Sequence, residues 1–120
     1  MKPYVSEILT HNGKTYILPM PAKYREILDC VRVLDIKDTT DEDDVCLMGY
    51  KSLYVPEPDF LDSHYHVEQT AIEISKLSEI QVKTLAAFCG AFDIPYKKIM
   101  GILSYININS KLWEENEDGD

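Results

Sequence analysis

Cysteine is scarce in this sequence, and its three copies, Cys30, Cys46 and Cys89, lie far apart along the chain. An odd number of widely spaced cysteines does not make a disulfide framework, and the sequence has no CxxC pair of the kind that structural zinc sites use. We therefore expect unpaired thiols, mostly buried as small hydrophobic side chains, in a cytoplasmic protein.

Long apolar runs and clustered glycines are also lacking. No run approaches the roughly 18 apolar residues that a membrane-spanning helix needs, and the N-terminus has no apolar segment typical of a secretory signal. The five glycines are scattered and do not form a loop that could hold phosphate. These absences favour a cytoplasmic protein that has neither a membrane function nor a nucleotide-binding loop.

Residue patterns typical of catalysis are missing as well. No Ser-His-Asp or Cys-His arrangement has local motif context, and the acids lie in polar runs that would not separate their pKa values. The segment "SHYHVE" offers His64, His66 and Glu68, but histidines two residues apart diverge on a helix. The sequence thus predicts a protein that is not an enzyme, with no catalytic residue, metal site or cofactor.

Positive charge is in deficit, and the deficit is regional. The formal net charge is −9; residues 35–62 hold nine acids against Lys37 and Lys51, and residues 111–120 hold five against Lys111. The nine acids of the first region are Asp35, Asp38, Asp41, Glu42, Asp43, Asp44, Glu57, Asp59 and Asp62. Such surfaces disfavour direct binding of nucleic acid and suit a protein partner that itself binds a polyanion. The simpler alternative, a solvated loop around "DIKDTTDEDDV", stays open.

The first sixty residues alternate between strand and helix patterns. Asn12-Gly13 favours a type I′ turn between two apolar runs, which would pair Ile8 with Ile17 and Leu9 with Tyr16. A stripe at i, i+3, i+4 and i+7 then predicts a helix near residues 24–33, packed on the sheet. The stripe consists of Tyr24, Ile27, Leu28 and Val31. Residues 45–55 are apolar on both faces and predict a third strand that is covered on both sides.

From residue 61 the apolar spacing becomes helical. Val67, Thr70, Ala71 and Ile74 form one stripe. Ser78 and Gln81 match a capping box that opens a second helix, whose apolar side would be Leu85, Phe88 and Phe92, and Pro95 marks the start of a third. We expect an α+β fold with a three-stranded antiparallel-type sheet and one helix in residues 1–60, a three-helix lobe in 61–108 and an acidic tail in 109–120.

Three segments taken in order carry a family resemblance: "YILPMPAKYREILDCV", "DVCLMGYKSLYVPEPDFLD" and "VEQTAIEISKLSEIQVKTLAAFCGAFDIPYKKIM". A strand ends in an apolar-Pro step, a helix with an Ile-Leu pair follows, and an acidic linker leads to a strand bearing "GYKSLYV". Over roughly residues 14–104 the sequence resembles the ArdA-type antirestriction family. Members of that family usually carry a further C-terminal α/β module, and this sequence departs from the family pattern at that point.

The resemblance implies a non-enzymatic, elongated acidic protein that imitates bent DNA and blocks the DNA groove of an enzyme. The nine acids of residues 35–62 would then contact a restriction-modification enzyme or another DNA-binding enzyme, without membrane or direct nucleic-acid contact. The alternative is an accessory protein-interaction module of a mobile element, with the same fold, apolar recognition and no antirestriction activity. A continuous negative surface favours the first, and an exposed apolar patch of several hundred Å² favours the second. A homodimer is left open in both cases.

Overall fold

The computed structural model of the chain describes residues 3–37 and 44–108, with the side chains of 106–108 excepted. Within these residues the chain is α+β, as predicted, with a three-stranded antiparallel sheet and four α-helices. The elements are β1 (Val5–His11), β2 (Lys14–Pro19), α1 (Tyr24–Val33), β3 (Cys46–Ser52), α2 (His64–Ser75), α3 (Glu79–Ala91) and α4 (Ile99–Ile108), with a 3₁₀ turn (Tyr96–Lys98) before α4.

The hairpin of β1 and β2 follows the turn chemistry of its sequence. Asn12 and Gly13 have φ values of 52° and 74°, the left-handed values that a type I′ turn requires at both positions. The turn fixes the register, in which Ile8 lies opposite Ile17 and Leu9 lies opposite Tyr16. Both predicted pairs are confirmed.

β3 joins the other side of β1, so the strand order is β2-β1-β3 and β3 is an edge strand. The pairing shifts between Ile8 and Leu9, because Ile8 lies opposite Gly49 and Leu9 opposite Leu47, with Met48 as the extra residue of a bulge. Gly49 has φ 152°, which residues with a side chain rarely adopt. Met48 is 60% exposed, so the expectation of a strand covered on both faces is wrong. The apolar residues on both faces of this segment could not show that β3 would be an edge strand.

One core joins the sheet to the three C-terminal helices. The α2 stripe of Val67, Thr70, Ala71 and Ile74 is fully buried, as predicted. It packs with Leu85 of α3, with residues of α4 and with Val5 and Tyr50 from the sheet; α4 contributes Ile99 and Leu103.

The core side of α3 differs from the predicted one. Val82, Leu85 and Cys89 are buried, whereas Phe88 and Phe92 are 38% and 67% exposed. The helix is turned so that its smaller apolar side chains meet the core, and the two phenylalanines contact each other at its rim with ring centroids 4.8 Å apart. The predicted capping box is present: the backbone N–H of Gln81 donates to Ser78 Oγ, and that of Ser78 donates to Gln81 Oε1.

All three cysteines are free thiols. Cys30 and Cys89 are buried, and burial raises the pKa of both thiols. Cys46 is exposed, contrary to the expectation for a residue in an apolar run, because it begins an edge strand. In the part of the chain that the structure describes, no group of three His, Cys, Asp or Glu side chains could hold a metal ion. None of the described helices is long and apolar enough to cross a membrane.

α1 forms where the sequence predicts it and packs on β2, but through an unexpected side. Tyr16 donates from its hydroxyl to Asp29 Oδ2 at 3.1 Å, and His11 Nδ1 lies 2.7 Å from the carbonyl oxygen of Leu34. Cys30 and Leu34 are buried at this contact. The predicted stripe faces solvent: Tyr24 is 75% exposed, Ile27 44%, Leu28 51% and Val31 36%. The helix is therefore held to the sheet by the side opposite to its most apolar one.

Candidate functional site

The predicted acidic surface is only partly covered by the structure. Asp38, Asp41, Glu42 and Asp43 lie outside the described residues. The other five, Asp35, Asp44, Glu57, Asp59 and Asp62, are described, and all except the half-buried Asp62 are exposed. The structure therefore locates these five carboxylates of the predicted surface.

The sheet places the five carboxylates in two groups. Asp35 follows Leu34, whose carbonyl meets His11 at the end of β1, and Asp44 comes just before β3, so both lie at the hairpin end. Glu57, Asp59 and Asp62 follow the other end of β3. Asp62 lies near Tyr50 of β3, since its charge adds to the raised pKa of that phenol, and His64, two residues further on, contacts Glu7 opposite Tyr50. In the chain, two of the five carboxylates therefore precede β3 and three follow it.

The group after β3 is organised by hydrogen bonds of its own backbone. Asp59 Oδ1 accepts from the N–H of Leu61 at 2.9 Å, and Asp62 Oδ2 accepts from the N–H of Asp59 at 3.1 Å. A backbone bond of 2.9 Å from the N–H of Asp62 to the carbonyl of Asp59 closes the same turn. Phe60 and Leu61 are consequently held exposed between two carboxylates.

The five carboxylates differ from three other acids, Asp29, Glu73 and Glu79, in what they contact. Asp29 pairs with Arg32, Glu73 with Lys76 at 2.7 Å and Glu79 with Lys83 at 3.8 Å. The pairing with Arg32, together with the Tyr16 hydroxyl, lowers the pKa of Asp29. The five described acids of the predicted surface thus take no part in the salt bridges of Arg32, Lys76 and Lys83.

The charge of Asp62 reaches two buried phenols beneath it. Burial raises the pKa of Tyr50, and the charges of Glu7 and Asp62 raise it further. Burial also raises the pKa of Tyr96, with smaller contributions from Tyr50 and Asp62. The Tyr96 hydroxyl donates to the carbonyl oxygen of Val67 at 2.8 Å, whereas the Tyr50 hydroxyl has no hydrogen-bond partner among the described residues. These tyrosines belong to the core that supports the acidic turn.

The two histidines of "SHYHVE" diverge, as a helical start requires. His64 Nε2 lies 2.8 Å from Glu7 Oε2 on β1 and its Nδ1 lies 3.9 Å from Glu68 Oε2. His66 Nε2 lies 3.0 Å from the carbonyl oxygen of Lys97 in the 3₁₀ turn. The two rings tie the first turn of α2 to different parts of the fold and share no common ligand position.

Two clefts of the described structure differ in their lining. One of about 230 Å³ is lined by Glu7 and Glu68, the two carboxylates that His64 contacts. A groove of about 540 Å³ between α3 and α4 is lined by Phe88, Gly101, Ile102 and Tyr105, with Lys97 and Lys98 at its edge. It offers apolar contact and positive charge, without a nucleophile beside a base among its lining residues.

Sequence reasoning missed one surface, the exposed stripe of Tyr24, Ile27, Leu28 and Val31, which we call the α1 stripe. A signal for it was present, because Cys30, Val33 and Leu34 form a second apolar line at i, i+3 and i+4 on the same helix. That smaller line is the one that meets the sheet, with Cys30 and Leu34 buried and Val33 half-buried.

No protein-family model, curated protein or solved structure matches this chain. The expected resemblance to the ArdA-type family stays a prediction from the three sequence segments within residues 14–104.

Proposed function

We propose that this chain is a non-enzymatic acidic protein that binds a DNA-binding enzyme, such as a restriction-modification enzyme, where that enzyme would bind DNA. The observation that carries the proposal is the state of the five described carboxylates of the predicted surface. They precede and follow a paired strand, and none is a partner in the salt bridges of Arg32, Lys76 and Lys83. Preplaced carboxylates suit a groove whose cations normally meet phosphates.

The shape of the chain agrees with such a role. Its principal extents are 50 × 27 × 20 Å, and its radius of gyration is 16.2 Å. A compact domain of this length would have a radius of gyration of roughly 14 Å. A duplex as long as the chain would carry about 30 negative charges, at one per 1.7 Å. With a net charge of −9, the protein would replace DNA at a few cation sites of the groove and leave others unmatched.

A competition assay tests the proposal. Purified restriction and modification enzymes are loaded with a fluorescent duplex, and the chain is titrated in at low salt. We expect the parent to displace the duplex, and the variant Asp35→Asn/Asp44→Asn/Glu57→Gln to need about tenfold more protein. Three charge contacts of about 0.5 kcal/mol each correspond to that factor.

The matched control is Glu68→Gln/Glu79→Gln/Asp93→Asn, which removes the same number of charges from outside the predicted surface. It should compete like the parent if position matters, and like the first variant if only net charge does. Failure of the parent to displace DNA from every enzyme tested would contradict the proposal. In that case the accessory-module interpretation gains, because the exposed α1 stripe is a specific observation in its favour.

A further inference from the structure

The α1 stripe is an apolar helix face that the described part of the fold leaves exposed. α1 is already fixed to β2 by Cys30, Leu34 and the Tyr16–Asp29 hydrogen bond, all on its other side. Its four stripe residues remain between 36% and 75% exposed. Scattered apolar residues on a surface are ordinary, but four in one continuous helical line mark a contact site. Their spacing is that of the anchors by which an amphipathic helix enters an apolar groove.

The flank of the stripe is cationic in a chain that is acidic overall. Arg25 and Arg32 stand three residues before and four residues after Leu28, so both border it on the same side of the helix. The nearby acids are engaged: Glu26 Oε1 accepts from the N–H of Lys23, and Asp29 bonds to Tyr16 and Arg32. Arg25 is exposed and has no partner among the described residues.

This charge pattern argues against a second copy of the chain as the occupant. Antiparallel pairing of two α1 helices across their stripes brings the same flank of each together, so Arg25 would face Arg32 of the other copy. In a parallel pair the arginine flank would meet the side that β2 occupies.

We propose that the α1 stripe docks against an apolar helical surface of another protein, whose flanks carry carboxylates that pair with Arg25 and share Arg32 with Asp29. The site goes beyond the proposed function, because a DNA-binding groove is itself basic and would repel this flank. The chain would then have two chemically distinct protein-binding faces: an acidic one around β3, and the apolar, arginine-flanked one on α1. A protein with both could join a DNA-binding enzyme to a second protein.

The first test uses the full chain and a synthetic helical peptide of about 20 residues. The peptide carries Leu at i, i+3, i+4 and i+7 and Glu on both flanks, and a matched peptide carries Lys in place of Glu. We expect the Glu peptide to bind at least tenfold more tightly than the Lys peptide. Leu28→Gln should weaken that binding at least tenfold. Ile80→Gln is the control, because Ile80 on α3 is exposed to a similar degree, 55% against 51% for Leu28, and it should leave binding unchanged.

A charge reversal makes the test specific. Arg25→Glu/Arg32→Glu should exchange the preference, so that the Lys peptide becomes the tighter ligand, while circular dichroism shows an unchanged helix content. Equal binding of both peptides, or equal loss in Leu28→Gln and Ile80→Gln, would overturn the proposal. So would sedimentation showing that the parent self-associates and that Leu28→Gln is monomeric, since a second copy would then be the occupant. Leu28→Gln should still displace DNA like the parent, so failure here is separable from failure of the proposed function.

Discussion

At the scale of single residues, Tyr50 and Tyr96 differ in whether the buried hydroxyl has a hydrogen-bond partner, and so in what that hydroxyl contributes to stability. Tyr96 donates to the Val67 carbonyl, and the Tyr50 hydroxyl has no partner among the described residues. We expect Tyr96→Phe to lower the free energy of unfolding by about 1 kcal/mol, and Tyr50→Phe to leave it unchanged or raise it. Urea unfolding of both variants checks this. The same loss in both would show that the Tyr50 hydroxyl is satisfied in solution.

The raised pKa of Tyr96 also predicts a dependence of stability on alkaline pH. An unfolded tyrosine ionises near pH 10, whereas burial keeps Tyr96 protonated in the folded chain above that pH. The unfolded state therefore binds fewer protons above pH 10, and stability falls as pH rises, by at most about 1.4 kcal/mol per pH unit from this group. Tyr96→Phe should lose stability less steeply than the parent between pH 9 and 11 in urea unfolding. Parallel curves would show that Tyr96 does not cause the decline.

At the scale of elements, two glycines with opposite roles make a matched pair. Gly13 has φ +74° in the hairpin turn, whereas Gly90 lies within α3 with nothing within 4 Å of an added Cβ. We expect Gly13→Ala to destabilise the chain by about 1–2 kcal/mol, because a side chain strains the left-handed conformation. Gly90→Ala should stabilise it by about 0.5–1 kcal/mol through helix propensity. Thermal unfolding measures both, and shifts of the same sign would contradict this account of the turn.

At the scale of the whole molecule, the acidic surface should act over a distance, and salt should weaken it. Charges on exposed groups are screened within about 10 Å at 0.1 M ionic strength. The difference between the parent and Asp35→Asn/Asp44→Asn/Glu57→Gln in DNA competition should therefore shrink as salt rises from 0.05 to 0.5 M. Binding of the Glu peptide at the α1 stripe should weaken less, because apolar contact remains. Competition measured across that salt range checks both, and a deficit independent of salt would mean that the substitutions altered the fold.

The sequence by itself determined the local structure of this protein. Asn12-Gly13 set the hairpin and its register, because only that turn suits both the backbone and the apolar alternation. Apolar spacing located α1 and the buried stripe of α2, and the Ser78–Gln81 box began α3. These features depend on neighbours within a few residues, so a local pattern is enough to predict them.

Only the tertiary structure decided which faces are covered. α1 turns its smaller apolar line to β2 and leaves Leu28 exposed, and β3 lies at an edge with Met48 in solvent. Which carboxylates form salt bridges, such as Asp29 with Arg32 and Glu73 with Lys76, likewise depends on which cations the fold brings near them. Hydrophobicity favours the burial of an apolar side chain but does not specify which surface covers it, because the free-energy gain depends on the apolar area removed from water. Partners far apart in sequence settle that choice.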